Sequence, residues 1–214
     1  IAYGDADEIK LVRDTSPAHE SKIYSDMLTQ MQATNAIAHL RWATEELAVC
    51  IPNTHPFVKK SEMGEIAFIH NGGVTRGDSL TALIGADFLN QLEGETDSEQ
   101  YFAALLTQLR KSGGDILAAY QALVIDFAPI HYTSLNAMIL TETELVIVCQ
   151  HKPENRSPEL QPAYYDLFWQ SSDGVTSAWS TGVRSNPNNV NELKNGSLLR
   201  INRTTGDVAT YEIG

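Results

Sequence analysis

Two apolar runs, each ending abruptly in polar residues, dominate the hydrophobic pattern of this chain. Residues 36–42 and 65–70 have the apolar spacing of short strands. The first run leads into Arg41-Trp42-Ala43-Thr44 and the second into His70-Asn71-Gly72-Gly73. Between them, Asn53-Thr54-His55-Pro56-Phe57 contains a proline and is expected to be a loop or a sheet edge. Upstream, residues 1–3 and 8–12 flank Gly4-Asp5-Ala6-Asp7 and read as a hairpin. Ser16-Pro17 then opens a helix that extends to about Gln32.

Downstream, residues 78–92 and 97–111 carry apolar side chains at helical spacing, with Gly94 between them. Gly113-Gly114 breaks the second helix, and Asp115 caps a third that ends at Phe127. The pattern then changes to strand-length runs at 134–140, 145–151, 164–171, 175–180, 197–202 and 208–213. Turn-forming stretches such as Asp173-Gly174, 186–189 and 204–207 separate them. Strands, a block of helices, then a meander of strands is the order of an α+β protein, not of alternating βαβ units.

A chain of 214 residues, 43% hydrophobic, fits a single domain with a sizeable core. With 15 basic against 27 acidic residues the net charge is −12, which speaks against nucleic acid or an anionic membrane as partner. An anionic small molecule stays open, because one well-placed Arg outweighs a distant, salt-screened field. Cys50 and Cys149 lack metal-type spacing and fit a reducing, cytoplasmic setting, with a single disulfide as the alternative. No stretch reaches membrane-spanning length. His39, His55 and His70 come without an HExxH or CxxC pattern, so neither a metal site nor a cofactor is expected.

The polar ends of the two central runs carry the chemistry. Arg41 offers a permanently charged fork that matches a carboxylate. Asn71 brings a side-chain amide N–H, and Gly72 a backbone N–H that a ligand can approach closely. Such donors are the parts of an oxyanion hole, although Asn-Gly is equally a hairpin-turn signal. Asp97, just ahead of an apolar helix, is a candidate N-cap and a carboxylate able to hold an ammonium group. Together these groups describe the recognition of an α-amino acid with a reactive side-chain amide.

The segments His39-Leu40-Arg41-Trp42-Ala43-Thr44, Asn53-Thr54-His55-Pro56-Phe57, His70-Asn71-Gly72 and Thr96-Asp97-Ser98-Glu99 follow one another in the order and spacing of the class II glutamine amidotransferases. The chain resembles the stand-alone members of that family, some of which hydrolyse γ-glutamyl bonds in other small molecules. The resemblance implies a four-layer αββα sandwich of the N-terminal-nucleophile hydrolase type, here as one N-terminally incomplete domain over 1–214. It implies Asn71 and Gly72 as catalytic donors, with Arg41, Thr44 and Asp97 on the substrate's head group. Trp42 either walls the pocket or packs in the core. Beyond Thr44, Glu45-Glu46 departs from the small residues common in the family, which leaves the outer substrate contacts open.

In that family the nucleophile is an N-terminal cysteine whose own α-amine serves as base. Here the first residue is Ile1, so the cysteine is expected ahead of it. Cys50 has no evident base beside it, and Cys149 is expected to be inert core. The implied activity is release of ammonia or an amine from glutamine or a γ-glutamyl compound. The alternative is a binding module that keeps the pocket without turnover. A homodimer and a synthase that takes up the ammonia are both compatible partners.

Overall fold

The computed structural model describes residues 1–4, 8–41, 47–61, 64–180 and 190–214. The chain begins with strands β1 (Ala2–Gly4) and β2 (Lys10–Leu11), helix α1 (Lys22–Gln30) and strand β3 (Asn35–Ile37). Strands β4 (Phe57–Ser61) and β5 (Gly64–Asn71) follow. Four helices come next: α2 (Asp78–Thr81), α3 (Ala86–Leu89), α4 (Asp97–Lys111) and α5 (Ile116–Phe127). The remainder is β6 (Asn136–Leu140), β7 (Glu144–Cys149), β8 (Leu167–Ser172), β9 (Val175–Ser180), β10 (Asn191–Leu193), β11 (Ser197–Asn202) and β12 (Val208–Glu212).

An antiparallel six-stranded sheet, ordered β12-β11-β7-β6-β5-β4, forms the centre. Its strands read as nearly continuous apolar runs, Ile66-Ala67-Phe68-Ile69 and Val146-Ile147-Val148-Cys149, because both faces are covered. Ile66, Phe68, Ile139, Val146 and Val148 point to α4 and α5, where they meet Tyr101, Leu105, Leu109, Tyr120 and Leu123. On the other face, Ala67, Ile69 and Leu140 pack against Ala2, Ile9 and Ile37 of the three-stranded sheet β2-β1-β3. Further along that face, Ile147, Cys149, Leu199 and Ile201 pack against Leu167 and Leu193 of a second small sheet, β10-β8-β9. The layers are thus helices, a large sheet and a divided second sheet, with α1 carrying the crossover between β2 and β3.

Several elements differ from what the pattern predicts, each for a local reason. The helix expected from Ser16 begins only at Lys22, because Asp14 binds the Ser16 N–H at 3.0 Å and leaves Ser21 as the N-cap. Residues 78–92 keep the spacing of Leu80, Ile84 and Phe88 on the core, but form two single turns either side of Gly85, whose N–H turns to Thr107. Strand 36–42 shrinks to β3, ending at Ile37. The proline segment, expected as a loop or a sheet edge, ends in the edge strand β4, which continues to Ser61, and Leu193 anchors a missed strand, β10. Asn71 and Gly72 end a strand without closing a hairpin, since β5's partner β6 begins at Asn136. The turns expected at 5–7 and 186–189 lie outside the described residues.

Candidate active site

The four sequence segments meet around one imidazole, that of His70. It is 2% exposed at the end of β5, with Nδ1 2.9 Å from Ser98 Oγ and Nε2 2.9 Å from the Ser134 carbonyl oxygen. A carbonyl can only accept, so Nε2 carries the hydrogen and Nδ1 accepts from the Ser98 hydroxyl. Burial lowers the His70 pKa, against the opposing pull of the Asp97 charge and the Ser134 carbonyl. The ring stands edge-on to Tyr101 at 5.0 Å, and Tyr101 in turn donates to the Leu135 carbonyl.

His39, two residues before Arg41, is hydrogen-bonded to the His70 backbone. His55 stacks on His39 with ring centroids 4.3 Å apart and meets Phe57 edge-on at 4.7 Å. Burial is the main cause that takes the His39 pKa down to about 4 and His55 well below its usual value. Among the described residues, His39 Nδ1 and both ring nitrogens of His55 are buried without a hydrogen-bond partner. The three histidines therefore meet as a neutral cluster in which both His70 nitrogens are already committed to protein partners.

Asp97 lies on the other side of His70, where the expected N-cap role falls to its neighbour. Thr96 Oγ1 accepts from the Glu99 N–H at 3.1 Å, and Asp97 is the first helical residue. The Asp97 carboxylate accepts from Val74 N–H at 2.7 Å and Ser98 N–H at 2.9 Å, tying the chain just beyond Gly72 to the start of α4. Its oxygens keep lone pairs for a further donor. Gly73 is fixed by Thr133, which accepts its N–H at 2.9 Å and donates its own N–H to the Gly73 carbonyl at 2.9 Å.

Asn71 and Gly72 are held in place by their neighbours while their own donors stay open. Among the described residues neither the Asn71 side chain nor the Gly72 N–H has a hydrogen-bond partner. Arg41 likewise has no ion-pair or hydrogen-bond partner among them. Arg41 lines a cavity of about 570 Å³ together with Arg13, Tyr24, Met27, Thr54 and His55. Asn71, Gly72 and Asp97 do not line that cavity. They are linked to the Arg41 segment through His39, His70 and Ser98. Trp42 and Thr44 lie outside the described residues.

Two supporting residues, Asn53 and Glu99, lie within the motif segments, where the sequence assigns them no role. Asn53, 2% exposed, accepts from Glu95 N–H at 2.9 Å and donates to the Ala48 carbonyl at 3.0 Å. Glu99, also 2% exposed, accepts from Glu93 and Gly94 N–H groups and pairs with Lys59 at 3.3 Å. The Thr96-x-x-Glu99 spacing is a capping-box signal that could have pointed to this pair. Of the cysteines, both free, Cys149 is buried and its thiol is pushed up to about 12 by burial, in keeping with an inert core role.

Among the described residues no helix is long and apolar enough to cross a membrane. Residues 1–152 match the model of the family described as glutamine amidotransferases class-II. The "Putative glutamine amidotransferase" of Haemophilus influenzae is 32% identical over 114 residues, 52% of this chain and 36% of that protein. The "Probable glutamine amidotransferase DUG3" of Saccharomyces cerevisiae is 32% identical over 109 residues, 49% of this chain and 29% of its own. The chain matches about a third of the length of these relatives. A glutamine aminotransferase class-II domain protein from Silicibacter pomeroyi has a similar structure. It gives a TM-score of 0.70 at 20% identity, over 100% of this chain and 90% of that one. Glutamine phosphoribosylpyrophosphate amidotransferase from B. subtilis gives 0.58 at 16% identity, over 100% of this chain and 42% of that one. The fold is that of the N-terminal-nucleophile hydrolases, and the chain belongs to the class II glutamine amidotransferases.

Proposed function

We propose that this chain is the glutaminase part of an amide hydrolase that acts on glutamine or a γ-glutamyl compound. The reading is supported above all by one observation. Both ring nitrogens of His70 are bonded to the protein, while the Arg41 guanidinium, the Asn71 amide and the Gly72 N–H are left without partners among the described residues. Arg41 pairs with the substrate's α-carboxylate, and Asp97 takes its α-ammonium through the lone pairs left by Val74 and Ser98. Thr44 and Trp42 complete the head-group contacts. Binding of this kind orients the side-chain amide and does no chemistry itself.

The nucleophile is an N-terminal cysteine of the full-length protein. Its thiolate attacks the amide carbon, and Asn71 and Gly72 donate to the oxygen that becomes negatively charged. The C–N bond breaks as the nitrogen takes a proton, releasing ammonia or an amine and leaving a thioester. Water then cleaves the thioester to the glutamyl acid and restores the thiol. The free cysteines fit a reducing compartment, and we place the protein in the cytoplasm. Ammonia and glutamate release by the full-length protein, from glutamine and from γ-glutamyl amides, tests the reading. Arg41→Ala should raise KM at least tenfold, as expected for loss of a charge-assisted pair worth about 1.5–3 kcal/mol. An unchanged KM would remove Arg41 from the site.

A further inference from the structure

We propose that His70 is a positioning residue that sets where the Asn71 and Gly72 donors point, acting through its bonds to Ser134 and Ser98. The proposal rests on the oxyanion role given above to Asn71 and Gly72. Gly72 has no side chain with which to anchor itself, so its place is set by the backbone around it. A β-carbon there would come 2.1 Å from the Ser134 carbonyl oxygen and 2.8 Å from His70 Nε2. The same carbonyl accepts the His70 Nε2 hydrogen at 2.9 Å. The imidazole therefore fixes the surface against which Gly72 rests.

The opposite ring nitrogen ties this arrangement to the head-group side of the site. Ser98 Oγ lies 2.9 Å from Nδ1, and its residue follows Asp97 at the start of α4. His39, from the Arg41 segment, is bonded to the His70 backbone. One ring thus touches the end of β5, the start of α4 and the Arg41 segment, with its hold on Gly72 the closest. Both of its nitrogens are spent on protein partners and the ring is 2% exposed, so it has no proton to exchange with a substrate. Its influence is geometric. An oxyanion hole tolerates displacements of only about half an ångström, and a misplacement of about 1 Å can cost up to about a hundredfold in rate.

The test is a double-mutant cycle on the full-length protein, reading kcat, KM and the pH profile for glutamine hydrolysis. His70→Leu removes both bonds at similar volume, and His70→Gln keeps a donor toward Ser134. His70→Leu should lower kcat about tenfold to a hundredfold with KM within about twofold, and His70→Gln should recover most of the loss. In an Asn71→Ala background the same change should cost less than in the parent, because one of the two donors it positions is gone while the Gly72 N–H remains. The kcat pH profile of His70→Gln should parallel that of the parent. Additive losses, a KM effect at unchanged kcat, or a missing limb in the pH profile would each overturn the positioning role. If His70→Leu does not fold, His70→Gln and Ser98→Ala complete the cycle. An Asn71→Ala variant with full kcat would instead remove the oxyanion reading itself, and the positioning role with it.

Discussion

Gly72 and the Ser134 carbonyl are packed so closely that a single added carbon on Gly72 would lie 2.1 Å from the oxygen. Gly72 is not among the glycines of positive φ. What the position requires is space, not an unusual torsion. Gly72→Ala must push β5 away from the lead-in to β6, and overpacking of this kind costs about 1–3 kcal/mol. The denaturation midpoint should fall accordingly, with kcat reduced about a hundredfold through the displaced donors. A variant with parental stability and turnover would show that the contact yields freely.

Lys59 should matter more for stability than its place on an edge strand suggests. Its ammonium pairs with the buried Glu99 at 3.3 Å and with Glu93 at 3.2 Å. Lys59→Met strands a buried carboxylate without its cation, which typically costs about 3–5 kcal/mol. Here the Glu93 and Gly94 N–H groups still serve Glu99, so the lower end of that range is expected. Adding Glu99→Gln should recover part of the loss, measured by chemical denaturation. A double variant no more stable than Lys59→Met would show that the pair is not energetically coupled.

The neutral histidines make the fold acid-sensitive. His39 has a folded pKa of about 4 against an ordinary value of 6.5, and burial also holds His55 well below that ordinary value. Between those values the unfolded chain binds protons that the folded chain refuses, so stability rises with pH in that window. It is complete above about 6.5 and is lost progressively as the pH falls toward about 4, by up to a few kcal/mol. Urea midpoints at pH 7 and pH 4.5 should therefore differ, and His55→Leu should shrink the difference. An unchanged difference in that variant would assign the acid sensitivity elsewhere.

Asn53 is expected to hold the entry to α4. Asn53→Ala leaves the Glu95 N–H and the Ala48 carbonyl without their partner, at a cost of about 1–3 kcal/mol. Amide hydrogen exchange at Glu95 should accelerate, whereas Asn53→Asp keeps the acceptor and should protect that amide. Equal protection in both variants would count against the contact.

The sequence pattern reveals most where local chemistry and packing agree. Helices α4 and α5 end where their apolar spacing and flanking Gly113-Gly114 say they should, and Asp115 caps α5 as expected. Strands β9 and β11 match their expected bounds to the residue. Misreadings fall where a distant partner decides. Asp14 takes the Ser16 N–H and delays α1; Thr107 takes the Gly85 N–H and splits a helix. The four motif segments identify the family, yet none of them shows that His70 is their meeting point. That follows from bonds to Ser98 and Ser134, 28 and 64 residues away. Sequence spacing also says nothing of which groups share a cavity wall; Arg41 lines the cavity of about 570 Å³ and Asn71 does not.

The second β layer is built as two sheets without a strand in common, β2-β1-β3 beside the histidine cluster and β10-β8-β9 over β7 and β11. The family match ends at residue 152, before β8 begins. Among the described residues, β8 and β9 meet the rest of the fold through the pairing of β8 with β10 and an apolar footing on Ile147, Cys149, Leu199 and Ile201.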